Sequence, residues 1–335
     1  MIEIIGEIGT NHNGDIQTAY QLIDIAAENG CHTVKLQIYD ANDIVSSRVS
    51  PVLYGYQNDY STWAEYINAK LITPKEWLPE LVAYSHKKNL DIIATPHSLK
   101  NAIICLNAGI KRLKIASMDC NHIPFIHELS KLQVPLLLST GMATRAEIID
   151  AFETISAYHS DITLFHCVST YPTLYPEVNL SFFEFLKTLT LNIALSDHSE
   201  KNDIAMMSVV YGIKAVEKHI TLDKNQLGPD HSFALDAQGI RDLSMSLQNA
   251  QMAMGTPTKI LSSKEQKGRT LYRRVMIANK PLSIGHIITE NDFYFARPEA
   301  VFNDTIPPKE ASLWVGWSVK MPLDEHQAIR REHFQ

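Results

Sequence analysis

Two ionisable residues stand two positions apart in AVEKHITL, residues 215–222, a run whose apolar and β-branched residues indicate a buried strand. Side chains alternate between the two faces of a strand, so Glu217 and His219 share one face. Charged groups inside a sheet are costly unless they are paired, hydrogen-bonded or bound to a metal. An acidic Gly-Pro-Asp turn that ends at Asp230 follows the run. The spacing therefore predicts ionic chemistry at the end of this strand.

Polar residues with the same alternation occur in most of the other strand-like runs. They are Glu7 in the first run, Lys35 and Gln37 in the second, Thr95 in the third, Lys114 in the fourth, Ser139 in the fifth, and Ser196 and His198 in the seventh. Two lysines with several hydroxyls suit a phosphorylated carboxylate. Two neutral imidazoles near carboxylates suit a divalent transition metal with open positions, which polarises a carbonyl. Together these groups point to carbon–carbon bond formation.

Each of these residues has an ordinary structural explanation when it is taken alone. A strand-end hydroxyl such as Thr95 or Ser139 usually caps a helix or hydrogen-bonds within the sheet. An unpaired buried ammonium is heavily penalised, so two inward lysines are better explained with an anionic ligand than without one. A lone histidine is usually a satisfied core residue, whereas His198 and His219, at the ends of consecutive strands, are better explained as a metal pair.

Eight strand-like runs alternate with amphipathic helical segments up to about residue 255. The runs span residues 2–9, 33–39, 91–96, 112–117, 135–141, 161–167, 192–198 and 215–222. Eight alternating units in about 250 residues predict a (β/α)8 TIM barrel, whose chemistry lies at the carboxyl ends of the strands. A doubly wound open sheet is the competing interpretation. That fold usually has a GxGxxG loop after its first strand, and this chain has EIGTNHNGD there.

The composition narrows the class of protein. The 335 residues carry a net charge of -7, divided into -10 for residues 1–255 and +3 for residues 256–335. A mostly acidic surface argues against a nucleic-acid partner. The four cysteines form no CxxC, there is no basic leader, and no apolar run reaches about 18 residues, so we expect neither disulfides nor a membrane span. The sequence predicts a soluble, cytoplasmic protein.

The pattern changes after the eighth unit. Runs such as RRVMIANKPLSIGHIITENDFYFARPEA lack helical periodicity and predict a small β domain. We place the barrel at residues 1–261 and the small domain at residues 262–335. The loop of about 34 residues after the second strand contains five aromatic residues. Loops of this length are usually functional; an ordered lid or substrate wall and a surface excursion on the barrel rim both remain open.

An ordered series of motifs resembles the sialic acid synthase family: EIGTNHNGD, VKLQ, ATPHS, LKIASMDCN, LSTGMAT, HCVSTYPT, LSDHS and VEKHITLDKNQLGPDHSFALD. The segment through FARPEA is similar to that family's antifreeze-like (SAF) β-clip domain. The resemblance covers nearly the whole chain. It implies a transferase that condenses phosphoenolpyruvate with an N-acylated hexosamine such as N-acetylmannosamine, in its open aldehyde form. The implied cofactor is divalent manganese or magnesium, and phosphate is released.

The same resemblance implies a role for individual residues. His198 and His219 would bind the metal, and Glu7 and Asp230 would orient water or move a proton beside it. The group around phosphoenolpyruvate would be Lys35, Thr95, Lys114, Ser117, Ser139, Ser169 and Ser196. Gln37, Asn58 and Tyr171 would contact substrate. Arg297 would reach the N-acyl group of the sugar in the barrel of a partner subunit, which implies a domain-swapped homodimer.

The chain also departs from the family. Position 169 is Ser where N-acetylneuraminate-forming members can have Asn, and position 119 is Asp where many have Glu. The segment after Arg297 lacks the usual Gly-Ile-Pro turn. N-acetylneuraminate, legionaminate and pseudaminate therefore stay open as products. Two other classes compete: an amidohydrolase-type hydrolase, which would ordinarily have two histidines separated by one residue on the first strand, and a non-catalytic carbohydrate-binding paralogue.

Overall fold

The computed structural model describes residues 1–50 and 60–334, and eight strands in these ranges close into a parallel barrel. The strands are β1 Glu3–Gly9, β2 Thr33–Ile38, β3 Asp91–Pro96, β4 Leu113–Ile115, β5 Leu136–Ser139, β6 Ile162–Cys167, β7 Ile193–Ser196 and β8 Ala215–His219. Each strand pairs with the next, and β1 also pairs with β8. The predicted (β/α)8 barrel is confirmed, and the open-sheet alternative is wrong.

Helices follow the strands in chain order. They are α1 Ile16–Glu28, α2 Ala41–Ile44, α3 Trp63–Lys70, α4 Leu78–Lys87, α5 Leu99–Asn107, α6 Ile123–Ser130, α7 Arg145–Ser156, α8 Tyr175–Val178, α9 Phe183–Leu189, α10 Asp203–Ser208, α11 Ala237–Met254 and α12 Ser263–Tyr272. Local sequence explains their ends: the carboxylate of Asp15 accepts from the backbone N–H groups of Gln17 and Thr18 at the start of α1.

The two faces of the barrel strands differ in chemistry. Val34, Leu36 and Ile38 pack into the main apolar core, on the face opposite Lys35, as the alternation predicts. A second cluster of six apolar residues packs together on the barrel strands: Ile5, Ile93, Leu137, Phe165, Ala194 and Ala215. These residues precede the polar residues along the strands, so the polar groups lie nearer the carboxyl ends.

The long connection after β2 is described on both sides of residues 51–59. It contains α2 and α3, and Tyr39, Ala64, Ile67 and Leu71 form a small buried cluster. Residues 51–59 fall outside the described residues, and with them two of the five aromatic residues of the loop. The buried cluster anchors both ends of the loop.

The chain divides into two compact units, Met1–Gly255 and Thr256–Gln335. The second unit contains α12 and a two-stranded antiparallel sheet of β9 Val275–Ala278 and β10 Phe293–Ala296. Its own apolar core includes Met276, Leu282 and Val319. All four cysteines are free and buried. Among the described residues, no helix is both long and apolar enough to cross a membrane.

Candidate active site

Strand register brings the predicted polar residues together at the carboxyl end of the barrel. Glu7 of β1 lies opposite Lys35 of β2 on one side and opposite His219 of β8 on the other. Ser196 of β7 lies opposite Glu217 of β8. Because neighbouring strands of a sheet are about 4.8 Å apart, side chains on the same face of these strands are in contact.

Two lysines and two glutamates form a buried ionic cluster. Lys35 Nζ lies 3.0 Å from Glu7 Oε2 and 3.4 Å from Glu217 Oε1. Lys114 Nζ lies 2.6 Å from Glu217 Oε2 and donates to Ser196 Oγ at 2.7 Å. The ammonium group of Lys114 also stands over a phenyl ring, 3.8 Å from its centroid. Glu217 is therefore the centre of the cluster, because it contacts both lysines.

The four groups titrate differently because their partners differ. Burial raises the pKa of Glu7, and the ammonium group of Lys35 offsets only part of that cost. Burial also opposes ionisation of Glu217, but Lys114 and Lys35 outweigh it and lower the pKa of Glu217. Burial lowers the pKa of Lys114, whereas the two carboxylates outweigh burial and raise the pKa of Lys35. Glu217 is thus the ionised carboxylate, and Glu7 is the one predisposed to hold a proton.

The cluster opens into a cavity of about 270 Å³. Twelve of the fifteen residues predicted from the sequence line it: Glu7, Lys35, Gln37, Thr95, Lys114, Ser117, Ser139, Ser169, Tyr171, Ser196, His198 and His219. Hydrogen bonds connect several of them, since Gln37 Nε2 donates to Glu7 Oε1 at 2.7 Å and Lys35 Nζ donates to Thr95 Oγ1 at 3.3 Å. The barrel therefore gathers residues from eight strands and their loops around one volume.

The two histidines lie side by side on this cavity. Their ring centroids are 5.5 Å apart. His198 Nδ1 donates to the carbonyl oxygen of Val168 at 2.8 Å, so in the neutral ring the lone pair is on Nε2. Burial holds the pKa of His219 well below its usual range, and the neighbouring His198 and Lys35 add to this effect. His219 is therefore a neutral imidazole.

These imidazoles fit a divalent metal. The buried Nδ1 of His219 has no hydrogen-bond partner among the described residues and lies 3.7 Å from Asp230 Oδ2. Neutral imidazole nitrogens are suitable ligands for transition metals, and a carbonyl hydrogen bond to the second ring nitrogen orients such a ligand. Within the described ranges, no group of three or more His, Cys, Asp or Glu side chains is arranged around a metal position. A metal held by the two histidines would keep positions open for substrate.

Aromatic rings surround the histidine pair. The ring of Tyr171 lies 4.3 Å from that of His198, and the buried ring of Phe233 lies 5.2 Å from that of His219. Asp230 contacts the same region and accepts a hydrogen bond from Thr10 Oγ1 at 3.2 Å. Burial raises the pKa of Asp230 despite that hydrogen bond. The pair thus has one apolar border and one carboxyl group predisposed to hold a proton.

Three predicted residues are not among the described residues that line this cavity: Asp230, which lies 3.7 Å from His219 Nδ1, Asn58 and Arg297. Asn58 lies outside the described residues. Arg297 belongs to the second unit, where it is exposed and its guanidinium group stands over the ring of Tyr272, 5.1 Å from the centroid. Its predicted role in a partner's barrel stays a prediction.

Three ionisable residues that line the cavity have no role predicted from the sequence: Glu217, Cys167 and His97. Glu217 was placed on the inward face, but its contact with both lysines required the closed barrel. His97 follows Thr95 by two positions, so continued alternation beyond the end of β3 was a usable signal. Cys167 ends β6 without a neighbouring motif that marks a thiol site.

Comparison with known proteins identifies the two parts of the chain. The profile of the NeuB family matches residues 22–259, and that of the SAF domain matches residues 273–335. N,N'-diacetyllegionaminic acid synthase of Campylobacter jejuni is 34% identical over 302 residues, which cover 88% of this chain and 90% of that protein. The enzyme of the same name from Legionella pneumophila is 30% identical over 342 residues, covering 99% of this chain and 94% of that protein.

A solved structure agrees with this assignment. The crystal structure of N-acetylneuraminic acid (sialic acid) synthetase from Leptospira borgpetersenii in complex with citrate superposes with a TM-score of 0.69 at 28% sequence identity. The match covers 79% of this chain and 89% of that one.

Proposed function

Because the chain belongs to the NeuB family, we propose that it is a nonulosonic acid synthase. The proposed reaction joins phosphoenolpyruvate to the open aldehyde form of an N-acylated hexosamine such as N-acetylmannosamine, and it releases phosphate. The relatives are named as acid synthases, which supports an enzyme. The phosphoenolpyruvate-dependent transferase chemistry is proposed from the residues that line the cavity.

The observation that carries the proposal is the pair of buried lysines on the cavity. The side chains of Lys35 and Lys114 are 7% and 1% exposed. Burial raises the pKa of Glu7 while the lysines lower that of Glu217, so a proton on Glu7 would give the four-residue cluster a net charge of +1. An anionic phosphate or carboxylate would complete its charge balance, and charge-assisted hydrogen bonds to such groups are the strong ones. The surrounding serine and threonine hydroxyls add neutral donors.

The histidine end of the cavity suits the aldehyde. His198 and His219 are the residues that would hold Mn²⁺ or Mg²⁺, and the bound ion would polarise the aldehyde carbonyl. Burial raises the pKa of both Glu7 and Asp230 and so predisposes these carboxyl groups to hold a proton. Such groups can supply a proton to the oxygen formed on the sugar or take one from water. The buried ring of Phe233 packs against the ring of His219 at this end.

The acceptor sugar defines which product is made. N-acetylneuraminate is the first candidate product, and legionaminate or pseudaminate are the alternatives within the same family. The two relatives described above are named as synthases of an N,N'-diacetyl acid. A hexosamine with two N-acetyl groups therefore belongs beside N-acetylmannosamine among the sugars to be tested.

Assembly is a separate part of the proposal. The predicted homodimer would place Arg297 of one subunit near the sugar in the other. It is supported by the contrast between the acidic residues 1–255 and the basic residues 256–335. The boundary at residue 262 and the cytoplasmic location are likewise predictions.

Phosphate release tests the proposal directly. Purified protein is incubated with phosphoenolpyruvate, Mn²⁺ or Mg²⁺ and each sugar, and inorganic phosphate and the keto acid are measured. We expect stoichiometric release of both with at least one N-acylated sugar and loss of both on chelation. Absence of release with every sugar and metal would favour the non-catalytic carbohydrate-binding alternative.

A further inference from the structure

His97 is an imidazole on the cavity to which the proposed mechanism gives no role. It follows β3 and lines the cavity together with Thr95 and Met118. Its side chain is only 5% exposed. His97 Nδ1 lies 2.8 Å from Asp119 Oδ2, and Asp119 is not among the described residues that line the cavity. The pair therefore presents the imidazole, and not the carboxylate, to a ligand.

Three contacts hold the imidazole in place. Besides the bond to Asp119, the backbone N–H of His97 donates to the carbonyl oxygen of Ile38 at 3.3 Å. The ring also packs edge-on against that of Tyr39, with centroids 5.5 Å apart. Nε2 has no hydrogen-bond partner among the described residues. This atom is not one of the fully enclosed polar atoms without a partner, so it is accessible to a ligand in the cavity.

The contact with Asp119 selects the tautomer of His97. A carboxylate only accepts hydrogen bonds, so Nδ1 must carry the hydrogen that it donates. In a neutral imidazole, the other nitrogen then has a lone pair and accepts. In the neutral ring, Nε2 of His97 is the acceptor, and it can bind a group that donates an O–H or N–H.

The two proposed substrates differ in this respect. At neutral pH the phosphate and carboxylate groups of phosphoenolpyruvate carry only acceptor oxygens. The sugar carries hydroxyl groups and an N-acylamino N–H, which donate. We propose that His97 is a sugar-binding residue that accepts a hydrogen bond from a hydroxyl or N-acylamino group of the acceptor sugar, with Asp119 as its positioning residue. This assignment rests on the proposed function, and it names what selects the sugar.

Selectivity follows from the same geometry. A buried site that hydrogen-bonds a substrate group discriminates strongly against an analogue without that group, because the protein atom is then left unpaired. His97 should therefore reject the deoxy or N-alkylated analogue that lacks the donor it binds. Asp119 contributes indirectly, since it keeps the lone pair on Nε2.

Steady-state kinetics of the full-length protein test the assignment. His97→Phe keeps a ring of similar size and removes both nitrogens. We expect the KM for the sugar to rise about 10-fold, the worth of one hydrogen bond, while kcat and the KM for phosphoenolpyruvate change less than about 3-fold. Asp119→Asn offers the ring both a donor and an acceptor, so it should give a smaller rise in sugar KM. The matched control is His86→Phe, an exposed position on α4, which should change neither KM.

A series of deoxy and N-alkylated sugars gives a second measurement on the parent protein. One analogue should lose about 10-fold in kcat/KM with the parent and lose little with His97→Phe. An unchanged sugar KM in that variant, a rise confined to the KM for phosphoenolpyruvate, or equal loss in all parameters would overturn the assignment. Failure of the proposed function is a different result, because the parent would then release no phosphate with any sugar.

Discussion

Lys114→Met removes one positive charge from the buried cluster and tests whether that charge binds the anionic substrate. In the parent, Nζ of Lys114 is 2.6 Å from Glu217 Oε2 and 2.7 Å from Ser196 Oγ. Methionine fills a similar volume but offers neither charge nor donor. Glu217 is then left with Lys35, at 3.4 Å, as its remaining cation in the cluster.

The cost to stability follows from this burial. Breaking a buried ion pair by removing one partner costs roughly 3–5 kcal/mol. At about 2–4 °C per kcal/mol for a unit of this size, Tm falls by roughly 6–20 °C. In the double variant Lys114→Met with Glu217→Met, the charge of Glu217 no longer raises the pKa of Glu7, so Glu7 can ionise and compensate Lys35 at 3.0 Å. No charge of the cluster is then left unpaired, and most of the lost Tm should be recovered.

The double variant should regain stability without regaining the affinity for phosphoenolpyruvate. A buried charged contact contributes about 2–5 kcal/mol to binding, so Lys114→Met should raise the KM for phosphoenolpyruvate by at least about 30-fold. The KM for the sugar should change less than about 3-fold. The double variant should keep the defect, because it still lacks the cation.

Calorimetric melting and initial rates over both substrates measure the two effects. Lys87→Met, which removes an exposed lysine of α4, is the matched control and should leave Tm and both KM values unchanged. Equal increases in the two KM values would mark Lys114 as a structural lysine. Recovery of phosphoenolpyruvate binding in the double variant would refute the charge argument.

The remaining predictions concern metal, pH and assembly. His219→Ala should abolish condensation and lower the metal content of protein purified with Mn²⁺, as measured by elemental analysis; equal metal and turnover in variant and parent would remove this residue from the ligands. Burial lowers the pKa of His12 to about 4, so this imidazole binds a proton more tightly in the unfolded chain than in the folded one. The free energy of unfolding should therefore fall by about 2 kcal/mol as the pH falls from 7.5 to 5. In urea titrations, His12→Asn should lack this part of the fall. If the free energies of unfolding of variant and parent depend on pH in the same way, His12 is not its source. The variants Arg297→Ala and Lys114→Met should each be nearly inactive, and mixing their subunits should restore activity through heterodimers with one intact composite site. If heterodimers form and stay inactive, Arg297 does not act in the barrel of the partner subunit.

The fold and the inward set of polar residues were predictable from the sequence because both depend on local patterns. Eight alternations of strand and helix in about 250 residues suffice to indicate the barrel. Within one strand, alternation alone separates Lys35 from Val34 and Glu217 from Lys218. The family resemblance then added roles that no spacing carries, such as those of Ser169 and Tyr171.

Partners and protonation were decided by the tertiary structure. Glu217 contacts Lys35 and Lys114, and these residues come from β8, β2 and β4, which only barrel closure brings together. Lys218, its neighbour in sequence, is buried on the opposite face, where it pairs with Asp197 at 2.9 Å. The sequence shows two adjacent charges in one strand, but the distance to each partner and the loss of water around it exist only in the folded chain. Those two quantities decide which carboxyl group stays ionised and which holds a proton.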